Sequence, residues 1–349
     1  ITFSIDELSE LNLYTRSLTC SSLSDIDFNL TGSKTIGQNL FKYNQNHATD
    51  GSGWQNLGAM EWDTYTFTLL EAGKDLIGAN PNIPFDVNPG TTHSVDLILG
   101  NSDPNSVLVT VIDGSNEQLL SDATVLIEQG TASTSAVTGS GYLEQIDWSG
   151  SSGQENFIDE TRYYAQDGDI ETNNPAGELK LAEFSGSYVT SGWLESSTFD
   201  IGTTTNFLNF NWGPVDQPQE VGLDPIRFQI ATNETLDQPL LWDYKGPTGS
   251  GSTYYTTSGQ AIHSSHDGHR YLRYRVFMDT EDDAYTPNVS DIRFTFASDC
   301  TPVGQVYFSG LNGSAYDVTI SKTGYESITI EDVAFDQDWQ ALNVTLNPE

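Results

Sequence analysis

Two stretches far apart in the chain share one pattern. The first is Tyr65-Thr-Phe-Thr-Leu-Leu-Glu-Ala-Gly73, and the second is Tyr316-Asp-Val-Thr-Ile-Ser-Lys-Thr-Gly324. Each begins with Tyr, continues as apolar-Thr-apolar, and reaches a Gly eight residues after the Tyr. Such alternation is typical of half-buried β-strands, and its recurrence predicts a repeated structural unit. Each stretch is followed by a closing strand, at residues 95–99 and 342–346. The repeat therefore predicts two similar β-sandwiches.

The rest of the chain has the same character. Short β-branched and aromatic runs are separated by Gly, Pro, Asn and Asp, which favours sandwiches over helical bundles. The 349 residues also exceed what one hydrophobic core usually organises. We therefore predict an all-β chain with an extended N-terminal segment (1–18), a first sandwich (19–102), a second sandwich split between 106–150 and 300–349, and an inserted domain (151–299).

The split sandwich resembles a known family. It is similar to carboxypeptidase-regulatory-like (transthyretin-like, Cna-B-like) β-sandwiches, whose usual hairpin is interrupted here by the insert. The residues that carry the resemblance are 107–113, 120–126 and 138–142 in the first half, and 304–311, 316–325 and 342–346 in the second.

The insert resembles discoidin-like jelly-roll domains of bacterial surface proteins. The matching stretches are residues 192–200, 208–213, 226–232, 268–276 and 286–294. The whole arrangement resembles bacterial surface and pilin-like proteins. The resemblance implies tandem Ig/transthyretin-like β-sandwiches with an inserted jelly-roll β-sandwich.

The charge of the chain argues against two classes of partner. It has 49 acidic and 13 basic residues, a net charge of −36. Because phosphate recognition needs a basic face, we expect no nucleic-acid binding, and anionic lipid is disfavoured for the same reason. No apolar run approaches the roughly eighteen residues of a membrane helix, so we expect no membrane insertion by this segment. The acidity suits either solubility in high salt or Ca²⁺ binding.

The N-terminal residues predict a strand whose partner the sequence does not identify. Ile1, Phe3 and Ile5 alternate with polar residues, and the chain opens without Met or a signal peptide. We expect that an upstream segment was removed, as in a secreted or cell-surface protein. An apolar strand here pairs either with its own domain or with an open sheet edge of a neighbouring copy.

The only two cysteines are Cys20 and Cys300. In a secreted chain they are expected to form one disulfide, which would tie the beginning of the folded body to its end. The alternative is a pair of buried thiols.

Two short motifs are candidate metal sites. Asp167, Asp169 and Glu171 alternate around a Gly, which is a pattern of oxygen ligands suited to Ca²⁺. His263, His266 and His269 offer imidazoles that could gather around Zn²⁺ if the segment formed a turn. The alternatives are a solvated acidic loop and a polar loop that leads into the next strand.

Aromatic residues beside a Gly/Ser/Thr loop are candidates for stacking on sugar rings. They are Trp242, Tyr244, Tyr254 and Tyr255. The alternative is that these rings pack in a core, as aromatic side chains usually do. Five Asn-x-Ser/Thr sequons are candidate glycosylation sites: Asn29, Asn233, Asn288, Asn312 and Asn343.

Catalytic motifs are missing from the sequence. It has no G-x-S-x-G elbow, Walker loop or HExxH motif, so we predict that the protein is not an enzyme. We predict a structural subunit of a pilus-like extracellular filament or cell-surface layer that self-associates, with N-terminal strand donation as one route. The alternative is an adhesin that binds surface glycans through the jelly roll, and a third reading is a secreted glycan hydrolase.

Overall fold

Strands make up nearly all of the regular structure. The computed structural model describes residues 7–38, 40–237, 240–311 and 315–349. The first strands are β1 (Ser9–Arg16), β2 (Asp27–Gly32), β3 (Thr35–Gly37), β4 (Leu40–Phe41), β5 (Asn44–Ala48), β6 (Trp54–Met60), β7 (Asp63–Leu69), β8 (Lys74–Asn80), β9 (Phe85–Val87), β10 (Thr92–Asn101), β11 (Ser106–Asp113), β12 (Thr124–Gln129) and β13 (Ala132–Val137). They are followed by β14 (Gly141–Gln145), β15 (Ala165–Gln166), β16 (Ile170–Asn173), β17 (Ala176–Leu181), β18 (Glu183–Phe184), β19 (Ser187–Tyr188), β20 (Ser191–Glu195), β21 (Phe199–Gly213), β22 (Ile226–Asn233), β23 (Gln260–Ala261), β24 (His269–Asp279), β25 (Asn288–Val289) and β26 (Asp291–Ala297). The last are β27 (Gln305–Phe308), β28 (Ala315–Ser321), β29 (Ile328–Ala334) and β30 (Trp339–Leu346), and two 3-10 turns lie at Gln219–Val221 and Ser264–His266.

The chain divides into two compact units. The first unit comprises Ile1–Gly141 and Cys300–Glu349, and the second comprises Tyr142–Asp299. The first unit contains two hydrophobic cores, one centred on residues 11–108 and one on residues 107–346.

The first core lies between two four-stranded sheets, ordered β6-β1-β10-β8 and β5-β2-β7-β9. Strand β1 alternates in the way its sequence predicts, with Leu11 and Leu13 fully buried. It pairs in parallel with β10 and antiparallel with β6. Residues 9–16 are therefore part of the first sandwich and not of a separate extended segment. The sequence shows the alternation of β1, but it does not show the partner β10, which lies about eighty residues later in this parallel ladder.

The second core repeats this arrangement. Its sheets are β27-β11-β30 and β13-β12-β28-β29, and the opening strand β11 pairs in parallel with the closing strand β30. The two sequence repeats form β7 and β28, where Tyr65 and Tyr316 are buried. Their glycines, Gly73 and Gly324, both have positive φ, a conformation that favours Gly. The repeat in the sequence thus corresponds to a repeat in topology.

The second unit is built on one large sheet. Its strands run β14-β26-β21-β24-β20-β15, with β22 also paired to β24 and β23 to β21, beside a three-stranded sheet β16-β17-β25. Strand β14 pairs with β26, and Trp148 is fully buried in this unit. Residues 142–150 therefore belong here and not to the split sandwich, since the Trp148 indole also donates to the hydroxyl of Tyr274 on β24.

The all-β fold is as the sequence predicts. Among the described residues, no helix is long and apolar enough to cross a membrane. The transthyretin-like and discoidin-like assignments of the individual domains stay predictions.

Candidate functional site

The predicted disulfide is present and closes most of the chain into one covalent loop. Cys20 and Cys300 are joined across a sequence separation of 280, with their Cα atoms 5.5 Å apart. Cys20 has a φ of 59° in a tight turn, where its amide donates to the Ser17 carbonyl oxygen. The Ser17 hydroxyl oxygen accepts from the Ser21 amide and holds the same turn. The second unit and most of the first lie inside this loop.

A second feature joins the two sandwiches of the first unit along β8. This strand is the edge of its sheet, so its outer backbone groups need partners from elsewhere. The side chain of Gln305, which is 1% exposed, donates to the Ala79 carbonyl at 2.9 Å and accepts from the Ala79 amide at 3.0 Å. One amide side chain therefore replaces a neighbouring strand at this position.

Further contacts complete this β8 junction. The indole of Trp339 donates to the Leu76 carbonyl at 2.8 Å. The buried carboxylate of Asp75 accepts from the Ser106 hydroxyl and the Tyr307 hydroxyl, both at 2.7 Å. A Cβ at Gly78 would overlap the ring of Pro302, so the backbone approach here requires Gly. The β8 edge is thus covered by side chains of the second sandwich, and these contacts hold the two sandwiches in a fixed arrangement.

The second unit carries a cluster of charged and aromatic residues on one face of its large sheet. At its centre the carboxylate of Glu195 accepts from Arg273 at 2.9 Å and from Arg275 at 2.6 Å. The side chains of Glu195 and Arg273 are 8% and 3% exposed, whereas that of Arg275 is 31% exposed. Burial by itself would raise the pKa of the Glu195 carboxyl, but the hydrogen bonds from the arginines outweigh it and lower that pKa.

Aromatic rings lie against both arginines. The Arg273 guanidinium is 4.1 Å from the ring centroid of Tyr164 and 4.8 Å from that of Trp242. Arg275 lies 4.2 Å from the Tyr244 ring centroid and 5.2 Å from that of Trp193. We call these residues, with Glu195, the arginine–aromatic cluster. Cation–π contacts of this kind stabilise each arginine where it has lost water.

The residues predicted to stack on sugars have other contacts in this structure. Trp242 and Tyr244 belong to the arginine–aromatic cluster, and Tyr254 lies 5.1 Å from the Arg227 guanidinium with an edge contact to Phe277. Tyr255 is fully buried and packs near Phe210. The prediction is therefore wrong for Tyr255, which belongs to the core. Each of the other three has ring surface covered by an arginine.

The predicted calcium site is not formed. Asp167 accepts from the amides of Asp169 and Trp193, and Glu171 accepts from the Asn173 amide. Nowhere in residues 7–38, 40–237, 240–311 and 315–349 do three His, Cys, Asp or Glu side chains gather as metal ligands. The carboxylates of Asp167 and Glu171 accept instead from backbone amides, as is usual where an acidic side chain precedes a tight turn.

The three histidines of residues 263–269 are likewise part of the structure of their loop. The Thr232 hydroxyl bridges Nδ1 of His266 at 2.9 Å and Nδ1 of His269 at 2.7 Å. His263 accepts from the Ser265 amide. His266 is 2% exposed, and burial, with a smaller contribution from the charge of Lys245, lowers its pKa to about 4. The imidazole of His266 is therefore neutral at pH 7.

The five sequons differ in how accessible they are. Asn343 on β30 is exposed. Asn29, Asn233 and Asn288 are half-buried, and their side-chain amides donate to Asn46, to the Leu241 carbonyl and to Glu178. Asn312 lies outside the described residues, as do Ile1, Phe3 and Ile5 of the predicted assembly strand.

Sequence reasoning missed the arginine–aromatic cluster and the β8 junction. A signal for the cluster exists, because Arg273 and Arg275 are two residues apart in one strand, as are Trp242 and Tyr244 in the covering loop. Residues two apart in a strand share a face. The junction has no comparable local signal, since Gln305 and Ala79 are 226 residues apart.

Comparisons with solved structures give distant similarities. No protein-family model matches the chain, and no curated protein matches it. Among solved structures, the major pilin SpaD of Corynebacterium diphtheriae is similar over 99% of both chains, with 8% identity and a TM-score of 0.25. The TIE protein of Bacillus anthracis is similar over 98% of this chain and 51% of its own, with 12% identity and a TM-score of 0.23. The streptococcal ancillary pilin matches over 98% of this chain and 62% of its own, with 11% identity and a TM-score of 0.21. This chain thus spans about half of the TIE protein, and similarity at these scores carries no argument about its function.

Proposed function

We propose that this chain is a structural, non-catalytic subunit of an extracellular filament or cell-surface layer. The disulfide between Cys20 and Cys300 carries this proposal. Disulfides persist in oxidising, extracellular compartments. A subunit at a cell surface is pulled along its chain, and a covalent link between residues 20 and 300 transmits that tension without extending the residues between them.

The β8 junction supports the same role. Linked sandwiches commonly move relative to each other when few contacts cross between them. Here Gln305 and Trp339 of one sandwich bond to the β8 backbone of the other, and Ser106 bonds to the Asp75 carboxylate. A subunit in which the two sandwiches act as one body suits a stiff assembly better than a flexible string of domains.

Assembly by N-terminal strand donation is the finer part of the proposal. Its support is the alternation of Ile1, Phe3 and Ile5 with polar residues, together with strands such as β30 that lie outermost in their sheet among the described residues. The test compares the full chain with the double variant Ile1→Ser/Phe3→Ser and, as a matched control, Thr2→Ala/Ser4→Ala. We expect electron microscopy to show filaments for the full chain and the control only. Filaments that form equally well with the apolar pair removed would argue against strand donation.

A carbohydrate-binding adhesin is the second candidate. What favours it is the arginine–aromatic cluster, where Tyr164 is 40% exposed and the Arg275 side chain 31% exposed beside half-buried Trp193 and Trp242. Aromatic rings beside a partly exposed arginine suit a sugar that carries a carboxylate. A glycan array probed with the full chain, with and without Ca²⁺, should then show binding that is lost in Arg275→Ala. An array without signal in either condition would remove this candidate.

A further inference from the structure

Among the residues that the structure describes, strand β13 is an open edge of its sheet, and it carries no charge. It is the outermost strand of the sheet β13-β12-β28-β29, and its six residues are Ala132-Ser-Thr-Ser-Ala-Val137. It pairs with β12 over its whole length without a bulge, from Gln129 opposite Ala132 to Thr124 opposite Val137. In a protein with a net charge of −36, a regular uncharged edge is a place where a second acidic chain can approach.

The opposite edge of the same sheet is protected. Strand β29 exposes Glu331 and Asp332, and Asp332 has a φ of 56° beside a register shift in its pairing with β28. Charges and bulges are the features by which proteins prevent edge-to-edge pairing. The contrast shows that one edge of this sheet is blocked and the other is not.

The backbone of β13 presents hydrogen-bonding groups outward at alternate residues. Its hairpin with β12 has a two-residue turn, so Ala132 and every second residue after it bond to β12. Thr138, which follows Ala132 by an even number of residues, fits this alternation because its amide donates to the Ala123 carbonyl. Ser133, Ser135 and Val137 therefore direct their amide and carbonyl groups outward, and the Val137 carbonyl already accepts from the Ser140 hydroxyl.

The sequence of this edge is its own antiparallel complement. Residues 132–136 read Ala-Ser-Thr-Ser-Ala in both directions. In an antiparallel pair of identical strands centred on Thr134, Ala132 faces Ala136 of the other copy and Ser133 faces Ser135. Thr134 then faces its own counterpart, and Thr–Thr pairs are favourable across strands.

We propose that β13 is the contact surface for a second copy of this chain, through antiparallel, two-fold symmetric pairing centred on Thr134. The pairing joins two four-stranded sheets into one and adds about four backbone hydrogen bonds, exchanged between Ser133 and Ser135 of the two copies. It does not depend on the proposed function, since a soluble dimer and a filament subunit can both use this edge. Because both copies are strongly acidic, association strengthens as salt shortens the screening length from about 10 Å at 0.1 M to about 3 Å at 1 M.

Variants at Ser135 and Ser133 test the edge by sedimentation at both salt concentrations. Ser135→Pro removes an outward amide without removing a bond to β12, so it should raise the dimer dissociation constant at least about tenfold, whereas Ser135→Ala should not change it. Ser133→Lys/Ser135→Lys places like charges opposite each other and should also raise the dimer dissociation constant. Ser133→Lys/Ser135→Glu places opposite charges together in the proposed register and should restore the dimer. Circular dichroism and thermal unfolding establish that each variant is folded.

A cysteine trap tests the register directly. Thr134→Cys should form a disulfide between copies under mild oxidation, because residues opposite each other in a non-hydrogen-bonded pair have Cα atoms about 4.5 Å apart. Ser133→Cys should not, because it faces residue 135 of the other copy. A full chain that stays monomeric up to about 1 mM at high salt would overturn the proposal. A dimer that Ser135→Pro leaves intact, or that is trapped through residue 133 but not 134, would overturn it as well.

Discussion

The disulfide predicts how this chain responds to a pulling force applied at its two ends. The path from one end to the other crosses directly from Cys20 to Cys300, which are 5.5 Å apart at their Cα atoms. The intervening chain, with a sequence separation of 280, is then outside the path of tension. We expect only the residues before Cys20 and after Cys300 to extend when the protein is oxidised.

The extended length of the chain between Cys20 and Cys300 follows from backbone geometry. A fully extended chain spans about 3.3–3.6 Å per residue, so breaking the bond releases about 900–1,000 Å of additional length. Single-molecule force spectroscopy with handles at both ends measures this quantity. The full chain in non-reducing buffer should lack the extra extension, and the variant Cys20→Ser/Cys300→Ser should show it.

Reducing agent provides the internal control. It should add the missing extension to the full chain and leave the double-serine variant unchanged. The same variant should lose about 2–5 kcal/mol of stability in urea, because the cross-link restricts the unfolded chain. Extension of the oxidised full chain by the whole 900–1,000 Å would show that tension does not pass through the disulfide, since about that length can be released only if the bond is open.

Three further predictions concern urea unfolding of single variants. Glu195→Ala should lower the free energy of unfolding by about 3–5 kcal/mol, because it leaves the charge of the buried Arg273 uncompensated. The control Asp243→Ala, at an exposed carboxylate, should lower it by less than about 1 kcal/mol. Equal losses in the two variants would contradict a buried ion pair. Gly78→Ala should lower the free energy of unfolding by about 1–3 kcal/mol, because the added methyl group overlaps the Pro302 ring at the β8 junction. An unchanged free energy of unfolding would mean that Gly78 and Pro302 do not approach each other this closely. The pKa of His266 is lowered to about 4 in the fold, so as the pH falls the unfolded chain binds a proton at this position before the folded chain does. The contribution of the neutral His266 to the free energy of unfolding is therefore complete above about pH 6.5. About 3 kcal/mol of that free energy is lost as the pH falls to about 4. His266→Gln should remove that part of the pH dependence, and a variant with the same pH profile as the full chain would exclude His266 as its source.

The local sequence pattern was sufficient to predict which strands are half-buried, because the alternation of a strand shows which of its residues face the core. The alternation in Tyr65–Leu69 and in residues 316–320 predicted half-buried strands, and the buried Tyr65 and Tyr316 agree. The two cysteines also predicted the disulfide, because only one intramolecular pairing was available. These inferences succeed since period-two burial and cysteine count can be read without knowing the path of the chain.

Local pattern was insufficient for the candidate sites. Acidic residues at Asp167, Asp169 and Glu171 have the composition of a calcium site, but the carboxylates of Asp167 and Glu171 accept from backbone amides of the same region. Tyr255 looks like a surface ring beside a polar loop, yet it is fully buried. The residue type determines which bonds a side chain can form, whereas the residues that surround it in the fold determine which of these bonds it does form.

Alternation, composition and cysteine count are properties of the chain alone, so an all-β, repeated and acidic protein with one available disulfide could be inferred from the sequence. Only the tertiary structure decided that β1 pairs with β10, that Gln305 completes the edge of β8, and that Arg273 and Arg275 share Glu195. The reason is physical. Strand partners and buried ion pairs are selected by hydrogen bonds and desolvation between residues that are up to 263 positions apart, and no local window of sequence contains both partners.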